Sequence, residues 1–347
     1  MKICILSVQI PFVTGGAEMH AFALKSELIK RGNEAEIVTI PFKWYPPERI
    51  LDCMLMARLV DAREVNGTRI DRVIALKFPA YFVPHDHKVC WILHQHRQAY
   101  DLYGTDLSDL WQTQNGQFVA AEIKRWDDEF LPQSRAIFAN SKTVAKRLAR
   151  FNRIQATPLY HPPLNYQDFK TGRSDHYILY PGRFDAIKRQ GLLIEALAKV
   201  EGEVEVVFCG QHESSYGAEL IQRIENSPLR GRVRILGRIS ETEKIDLYAN
   251  CLAVYNGVLD EDYGYITLEA FAAGKPVLTH TDSGGPLEFV IDGSNGFITA
   301  PEAEPLAAVI SFLVGNVEKA QAMGRAGKET LRTSNITWDN VIENLLC

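Results

Sequence analysis

Two carboxylates eight residues apart, Glu261 and Glu269 in EDYGYITLE, and two cations five apart, Arg183 and Lys188 in GRFDAIKR, suit a charged, hydroxyl-rich ligand. Carboxylates accept hydrogen bonds, so sugar or ribose hydroxyls are natural partners for the glutamates. Arginine offers a fixed fork of donors to phosphate oxygens and lysine a compact charge, so the cations suit a diphosphate and could neutralise it as a leaving group. Gly264 marks a turn into a helix, whose first N–H groups near Tyr263 and Tyr265 would be open to phosphate. On spacing alone the plainer readings stay open: a solvated cationic loop, a Glu261 favoured only by the helix dipole, and a solvated Glu269.

Other residues carry weaker signals. Asp260-Glu261-Asp262 has a divalent-metal spacing, but the tripeptide is common and no further ligands stand near it. No metal is expected, since Arg183 and Lys188 could do its electrostatic work. The pairs His85/His87 and His94/His96 are equally thin as zinc ligands. His94 ends the apolar run CWIL, where it could hydrogen-bond a substrate hydroxyl or simply cap a strand. Gly15-Gly16 and Gly284-Gly285 read as turns that let backbone approach a ligand closely, although neither belongs to a G-x-G-x-x-G fingerprint.

The elements that must position these residues alternate. β-branched runs (Lys2 to Val8, Ala35 to Ile40, Arg72 to Leu76, Val89 to Leu93, Ala136 to Asn140) are interleaved with helical segments, including Ala17 to Arg31 and Ser141 to about Phe151. After a polar, proline-bearing passage from Pro158 to Asp175, read as a linker, the rhythm restarts. Strands are expected over Tyr177 to Tyr180, Val204 to Cys209, Val233 to Leu236, Leu252 to Asn256 and Pro276 to His280, with a helix from Gln190 to Val200 and others after Pro301. Ser240 with Glu243 forms a capping-box pattern. The pattern is that of an α/β chain with two Rossmann-like, doubly wound domains, in which ligands bind beyond the carboxyl ends of the strands.

A length of 347 residues suits two such domains, facing each other across a cleft. A net charge of −5 gives no overall case for nucleic acid. The six cysteines are scattered without a C-x-x-C pair, which fits a reducing, cytoplasmic setting. MKICILSVQI is too short an apolar run for a leader and reads as the first strand, and no stretch reaches the length of a membrane span.

These pieces together resemble glycosyltransferase family 4, retaining enzymes of the GT-B fold. The resemblance rests on GGAE at Gly15 to Glu18, ILH at Ile92 to His94, ANS at Ala139 to Ser141, GRFDAIKR, EDYGYITLEAFAAGKPV and SGGPLE at Ser283 to Glu288. The E-x7-E motif is the most specific of them. The resemblance implies a first domain over residues 1–165 on the acceptor side and a nucleotide-sugar-binding domain over 175–330. A C-terminal helix over 331–347, containing Trp338, would cross back to the first domain. It further implies that Arg183 and Lys188 grip the donor diphosphate, Glu269 the ribose and Glu261 the transferred sugar. His94 would touch that sugar and Gly15-Gly16 would line the donor cleft. Apart from the resemblance, selection of the nucleotide base is expected to depend on loop backbone near Gly237 to Ile239 and Gln211 to His212. No cofactor or metal is implied. Asp262 and Tyr263 depart from the family's usual Gly or Ser and Phe, and Asp262 could either select the sugar or cap the helix.

The expected activity is transfer of a hexose-type sugar from a UDP- or GDP-sugar to a hydroxyl of a glycan or lipid-linked acceptor, in cell-surface polysaccharide or glycoconjugate synthesis. A sugar-nucleotide hydrolase or epimerase, or a non-catalytic binding subunit, are the competing readings. Lys142, Lys146, Arg150 and Arg153 share one face of a helical wheel opposite Val144, Leu148 and Phe151. That face is either solvated or docks on anionic lipid or glycan, giving peripheral contact with the inner face of the cell membrane.

Overall fold

The computed structural model describes residues 1–12 and 15–347, and the chain divides into two compact units, Met1–Leu164 with Thr337–Cys347, and Asn165–Ile336. In the first unit β1 (Lys2–Gln9) leads to α1 (Gly16–Lys30), β2 (Glu34–Pro41) and α2 (Glu48–Leu59). A two-residue hairpin, β3 (Glu64–Val65) and β4 (Thr68–Arg69), precedes β5 (Arg72–Ala75) and β6 (Lys88–Ile92). Then come α3 (Gly116–Phe130), β7 (Ala136–Ala139), α4 (Lys142–Asn152) and β8 (Thr157–Pro158). The sheet order is β2-β1-β5-β6-β7-β8, parallel throughout.

Strands buried on both faces must be apolar along their length rather than alternating. β6, KVCWI, is buried at every residue, and its Trp91 and Cys90 enter different cores on the two faces of the sheet. Leu24 and Leu28 of α1 cover one face, and Met54 of α2, Ile123 of α3 and Leu148 of α4 cover the other.

The second unit contains β9 (Tyr177–Pro181), α5 (Gln190–Leu197), β10 (Glu205–Cys209), α6 (Ser215–Glu225), β11 (Val233–Ile235), α7 (Glu241–Asn250) and β12 (Ala253–Tyr255). It continues with α8 (Tyr265–Ala272), β13 (Val277–His280), β14 (Gly296–Thr299), α9 (Ala303–Gly315) and α10 (Val317–Thr333). Its parallel order, β11-β10-β9-β12-β13-β14, is the doubly wound Rossmann order. The chain winds outward from β9 to β11 and then returns to lay β12 on the other side of β9. The loops after β9 and β12 therefore diverge at the sheet's carboxyl edge, where such sheets receive ligands.

The last helix, α11 (Trp338–Leu346), belongs to the first unit. Val341, Ile342 and Leu345 pack among Ile3, Ile5, Leu24 and Trp91, and Arg72 donates to the carbonyl oxygen of Leu345 at 2.7 Å. This helix is shorter than the expected 331–347 segment, because residues 331–333 complete α10. The linker is shorter than expected too. Thr157–Pro158 pairs with β7, while the amides of Gly172 and Asp175 bond to the carbonyls of Ala249 and Asn250 at 2.9 and 2.7 Å.

Candidate functional site

The loop GRFDAIKR leaves β9 at the topological switch point. It turns through a short 3-10 helix over Ala186–Lys188, capped by the Asp185 side chain, which accepts from the Ile187 amide at 3.2 Å. Arg183 is largely exposed and only loosely paired, its guanidinium 3.5 Å from Asp185. Neither the Lys188 ammonium nor the Glu261 carboxylate has a hydrogen-bond or ion-pair partner among the described residues. Lys188 folds back over Gly182, where an added Cβ would lie 3.7 Å from its Nζ.

The third cation, Arg189, behaves differently. It adopts a left-handed backbone, φ 57°, which costs a non-glycine residue about 1–2 kcal/mol. Its guanidinium meets the Asp282 carboxylate with two parallel bonds of 2.7 and 2.6 Å. The Asp282 pKa is held below the usual carboxylate range chiefly by that hydrogen bonding.

The segment after β12 comes beside the cation loop. The Leu259 amide bonds to the carbonyl of Ile187 at 2.9 Å. Glu261 bridges to Gly284 in the loop after β13: its amide bonds to Ser283 O at 2.9 Å, and its carbonyl accepts from the Gly285 amide at 2.7 Å. A Cβ at Gly284 would sit 2.7 Å from Glu261 O, and one at Gly285 would sit 2.6 Å from the Tyr263 carbonyl. The close approach expected of Gly284-Gly285 is thus to the chain's own backbone, and these glycines act by letting the Glu261 to Tyr263 segment lie against them.

Gly264, at φ 93°, caps α8. The Tyr263 side chain is 2% exposed and packs against Tyr265 and Phe289 with ring centroids 5.1 and 5.9 Å away, so it is the backbone of this residue, not its ring, that can face a ligand. Asp262 and Tyr265 are half-buried at the same turn.

Glu269 stands one turn into α8, and α7 holds both of its oxygens. Lys244 donates to Oε1 at 3.0 Å and Tyr248 to Oε2 at 2.6 Å. Residues four apart on a helix share a face, so α7 presents both donors together. Burial works against the Lys244 charge, but Glu269, aided by Glu241, outweighs it and raises its pKa. Burial and the Glu269 charge both push the Tyr248 hydroxyl far up, so it remains a donor. A carboxylate has about four acceptor sites, so Glu269 keeps capacity for ligand hydroxyls.

Lys244, Tyr248 and the Arg189–Asp282 pair escaped the reading of the sequence. The one available signal was the K-x-x-x-Y spacing on the helix opened by Ser240 and Glu243. That capping box forms, with the Glu243 amide donating to Ser240 Oγ at 3.2 Å and the Ser240 amide to Glu243 Oε2 at 2.8 Å. Ile239, half-buried, immediately precedes the cap.

In the first unit Gly15 caps α1, and Gly16 is its first residue rather than part of a turn. The Gly15 amide donates to Glu18 Oε2 at 2.8 Å. His94 follows β6 and is half-buried, with its Nδ1 2.7 Å from the Gln95 carbonyl oxygen. On α4, Lys142, Lys146 and Arg150 are exposed, as is its cap Arg153, while Val144 and Leu148 are buried. Among the described residues no group of three His, Cys, Asp or Glu is arranged to hold a metal ion, and no helix is long and apolar enough to cross a membrane.

Residues 166–330, nearly the whole second unit, match the family model of glycosyl transferases group 1. The alpha-1,3/1,6-mannosyltransferase ALG2 of Dictyostelium discoideum is 30% identical over 137 residues, 38% of this chain and 32% of that protein. The chain therefore covers about a third of that curated relative's length. Among solved structures, sucrose-phosphate synthase from Thermosynechococcus elongatus superposes with a TM-score of 0.80 at 16% identity, covering 100% of this chain and 98% of the other. Anabaena Alr3699/HepE, in complex with UDP and glucose, gives a TM-score of 0.71 at 20% identity, covering 100% and 99%. Likeness at that level over whole chains shows the fold, the paired Rossmann-like sheets of GT-B glycosyltransferases.

Proposed function

We propose that this chain is a retaining glycosyltransferase that moves a hexose-type sugar from a UDP- or GDP-sugar to a hydroxyl of a glycan or lipid-linked acceptor. The observation that carries the reading is the gathering of Arg183, Lys188, Glu261 and Glu269 at the carboxyl edge of one sheet, within the segment that matches the group 1 family. Arg183 and Lys188 take the donor diphosphate, and their positive charge stabilises it as a leaving group without a metal. Glu269, oriented by Lys244 and Tyr248, accepts from the ribose hydroxyls, and Glu261 accepts from hydroxyls of the transferred sugar. Backbone at the start of α8, around Gly264 and Tyr265, faces the phosphates, and backbone near Ile239 the base. Gly15, Gly16 and His94 are the first unit's contribution to substrate binding. As the bond to the anomeric carbon breaks, the acceptor hydroxyl attacks from the same face and its proton passes to the departing phosphate oxygen.

The mannosyltransferase name of the Dictyostelium relative makes mannose the first sugar to test. The exposed cationic face of α4 supports a peripheral contact with anionic lipid or an anionic acceptor. A thermal-shift screen of UDP-, GDP-, ADP- and TDP-sugars tests the reading, because a ligand bound by the folded state raises the melting temperature by mass action. A shift with a UDP- or GDP-sugar, lost in Glu269→Ala, is the expected result. No shift with any of the four would sink the donor assignment.

A further inference from the structure

GRFDAIKR carries three cations at the end of β9, and the Arg189 charge is already engaged within the protein. Its bidentate contact with Asp282 joins loops from two strands that are not neighbours, since β12 lies between β9 and β13. The contact therefore spans the carboxyl end of β12, whose own continuation carries Glu261. Arg189 also reaches the Gly257 carbonyl on that continuation, at 3.4 Å. Backbone bonds complete the connection: Leu259 N to Ile187 O, Asp260 N to Asp282 O and Glu261 N to Ser283 O, each 2.9 Å.

The pair is well placed to act as a lock. Arg189 is 19% and Asp282 36% exposed, so solvent screens the contact only in part. The planar guanidinium fixes direction as well as distance, which a lysine ammonium would not. The two side chains neutralise each other, leaving Arg183 and Lys188 as the loop's cations for an anionic ligand. The left-handed backbone of Arg189 follows directly after Lys188, so whatever holds Arg189 sets the direction in which Lys188 leaves the turn.

We propose that Arg189 and Asp282 are positioning residues that lock the Arg183–Lys188 loop and the Glu261 loop into one preformed site for a nucleoside diphosphate. The proposal rests on the donor-site reading above. It assigns the affinity of the site for diphosphate in part to a pair that touches no ligand.

The test uses the full chain and three variants. Arg189→Gly keeps a backbone at ease with positive φ while deleting the lock, Asp282→Asn keeps the shape and removes the charge, and Arg189→Lys keeps the charge without the fork. UDP and GDP binding is measured by calorimetry, alongside amide hydrogen exchange. The dissociation constant for the nucleotide bound by the wild type should rise about tenfold in Arg189→Gly and Asp282→Asn, and by less in Arg189→Lys. Exchange at residues 183–189 and 258–262 should speed up by about tenfold while the β9 and β10 strands stay protected. Unchanged affinity, or exchange accelerated equally throughout the second unit, overturns the proposal, because the latter marks general destabilisation. If the wild type binds neither nucleotide, the donor-site reading fails separately. The exchange measurement then still upholds or overturns the lock.

Discussion

The Tyr248 hydroxyl donates to Glu269 Oε2 at 2.6 Å from a helix that follows a different strand of the sheet. The carboxylate is thereby aimed before any ligand arrives. A hydrogen bond to a charged group contributes about 1.5–3 kcal/mol. Tyr248→Phe should therefore weaken UDP or GDP binding by roughly tenfold, read by calorimetry, with circular dichroism unchanged. Wild-type affinity in this variant would show that Glu269 is aimed by other means.

Gly264 sets where α8 begins. Its φ of 93° is strained for any other residue, and an added Cβ would lie 3.2 Å from Pro286 Cδ. Gly264→Ala should destabilise the second unit by about 1–2 kcal/mol, seen as a melting temperature lower by several degrees, and should weaken nucleotide binding. An unchanged melting curve would contradict the argument.

Asp127 makes stability depend on pH in the first unit. Burial pushes its carboxyl up to about 7, against hydrogen bonds from Tyr100 and Tyr81 that pull it down. An unfolded aspartate titrates at about 3.9, so the folded chain holds this proton more tightly. The stability contributed is complete below that value and is lost as pH rises through about 7. Asp127→Asn stays neutral throughout. Its melting temperature relative to wild type should climb between pH 4 and pH 8, whereas a constant difference would rule out this titration.

Charge reversal of Lys146 and Arg150 to glutamate tests the α4 face. Both are exposed, and the apolar side of the helix supplies its packing through Val144 and Leu148, so folding should survive. Binding to vesicles containing anionic lipid should fall severalfold and become less sensitive to salt. Equal vesicle binding by variant and wild type would remove the membrane proposal.

Five strands of each six-stranded sheet were legible because parallel strands buried on two faces leave apolar runs such as VCWI and YILY, whereas the short edge strands β8 and β14, partly exposed, carry no such run. Helix α3 was missed. GQFVAAEIKRWDDEF begins with glycine after a long polar stretch and lacks a side-chain N-cap, so nothing local announces it. Within the candidate site, Arg183, Lys188, Glu261 and Glu269 could be singled out because each lies in a short motif beside a recognisable strand. Their supports could not. Lys244 and Tyr248 stand 25 and 21 residues from Glu269, and Asp282 stands 93 from Arg189, brought near only by strand order. The glycines Gly284 and Gly285 gave the right signal of close approach but not its object, since a bare sequence does not tell a ligand from the chain's own backbone.

The central claim is that Arg183 and Lys188 stabilise a nucleoside diphosphate leaving group. Its most direct test is the rate of nucleoside diphosphate release from the donor selected by thermal shift, measured for the wild type, Arg183→Ala and Lys188→Ala with simple glycoside acceptors. Each variant should release product on the order of a hundredfold more slowly. Release at the wild-type rate in both would contradict the account.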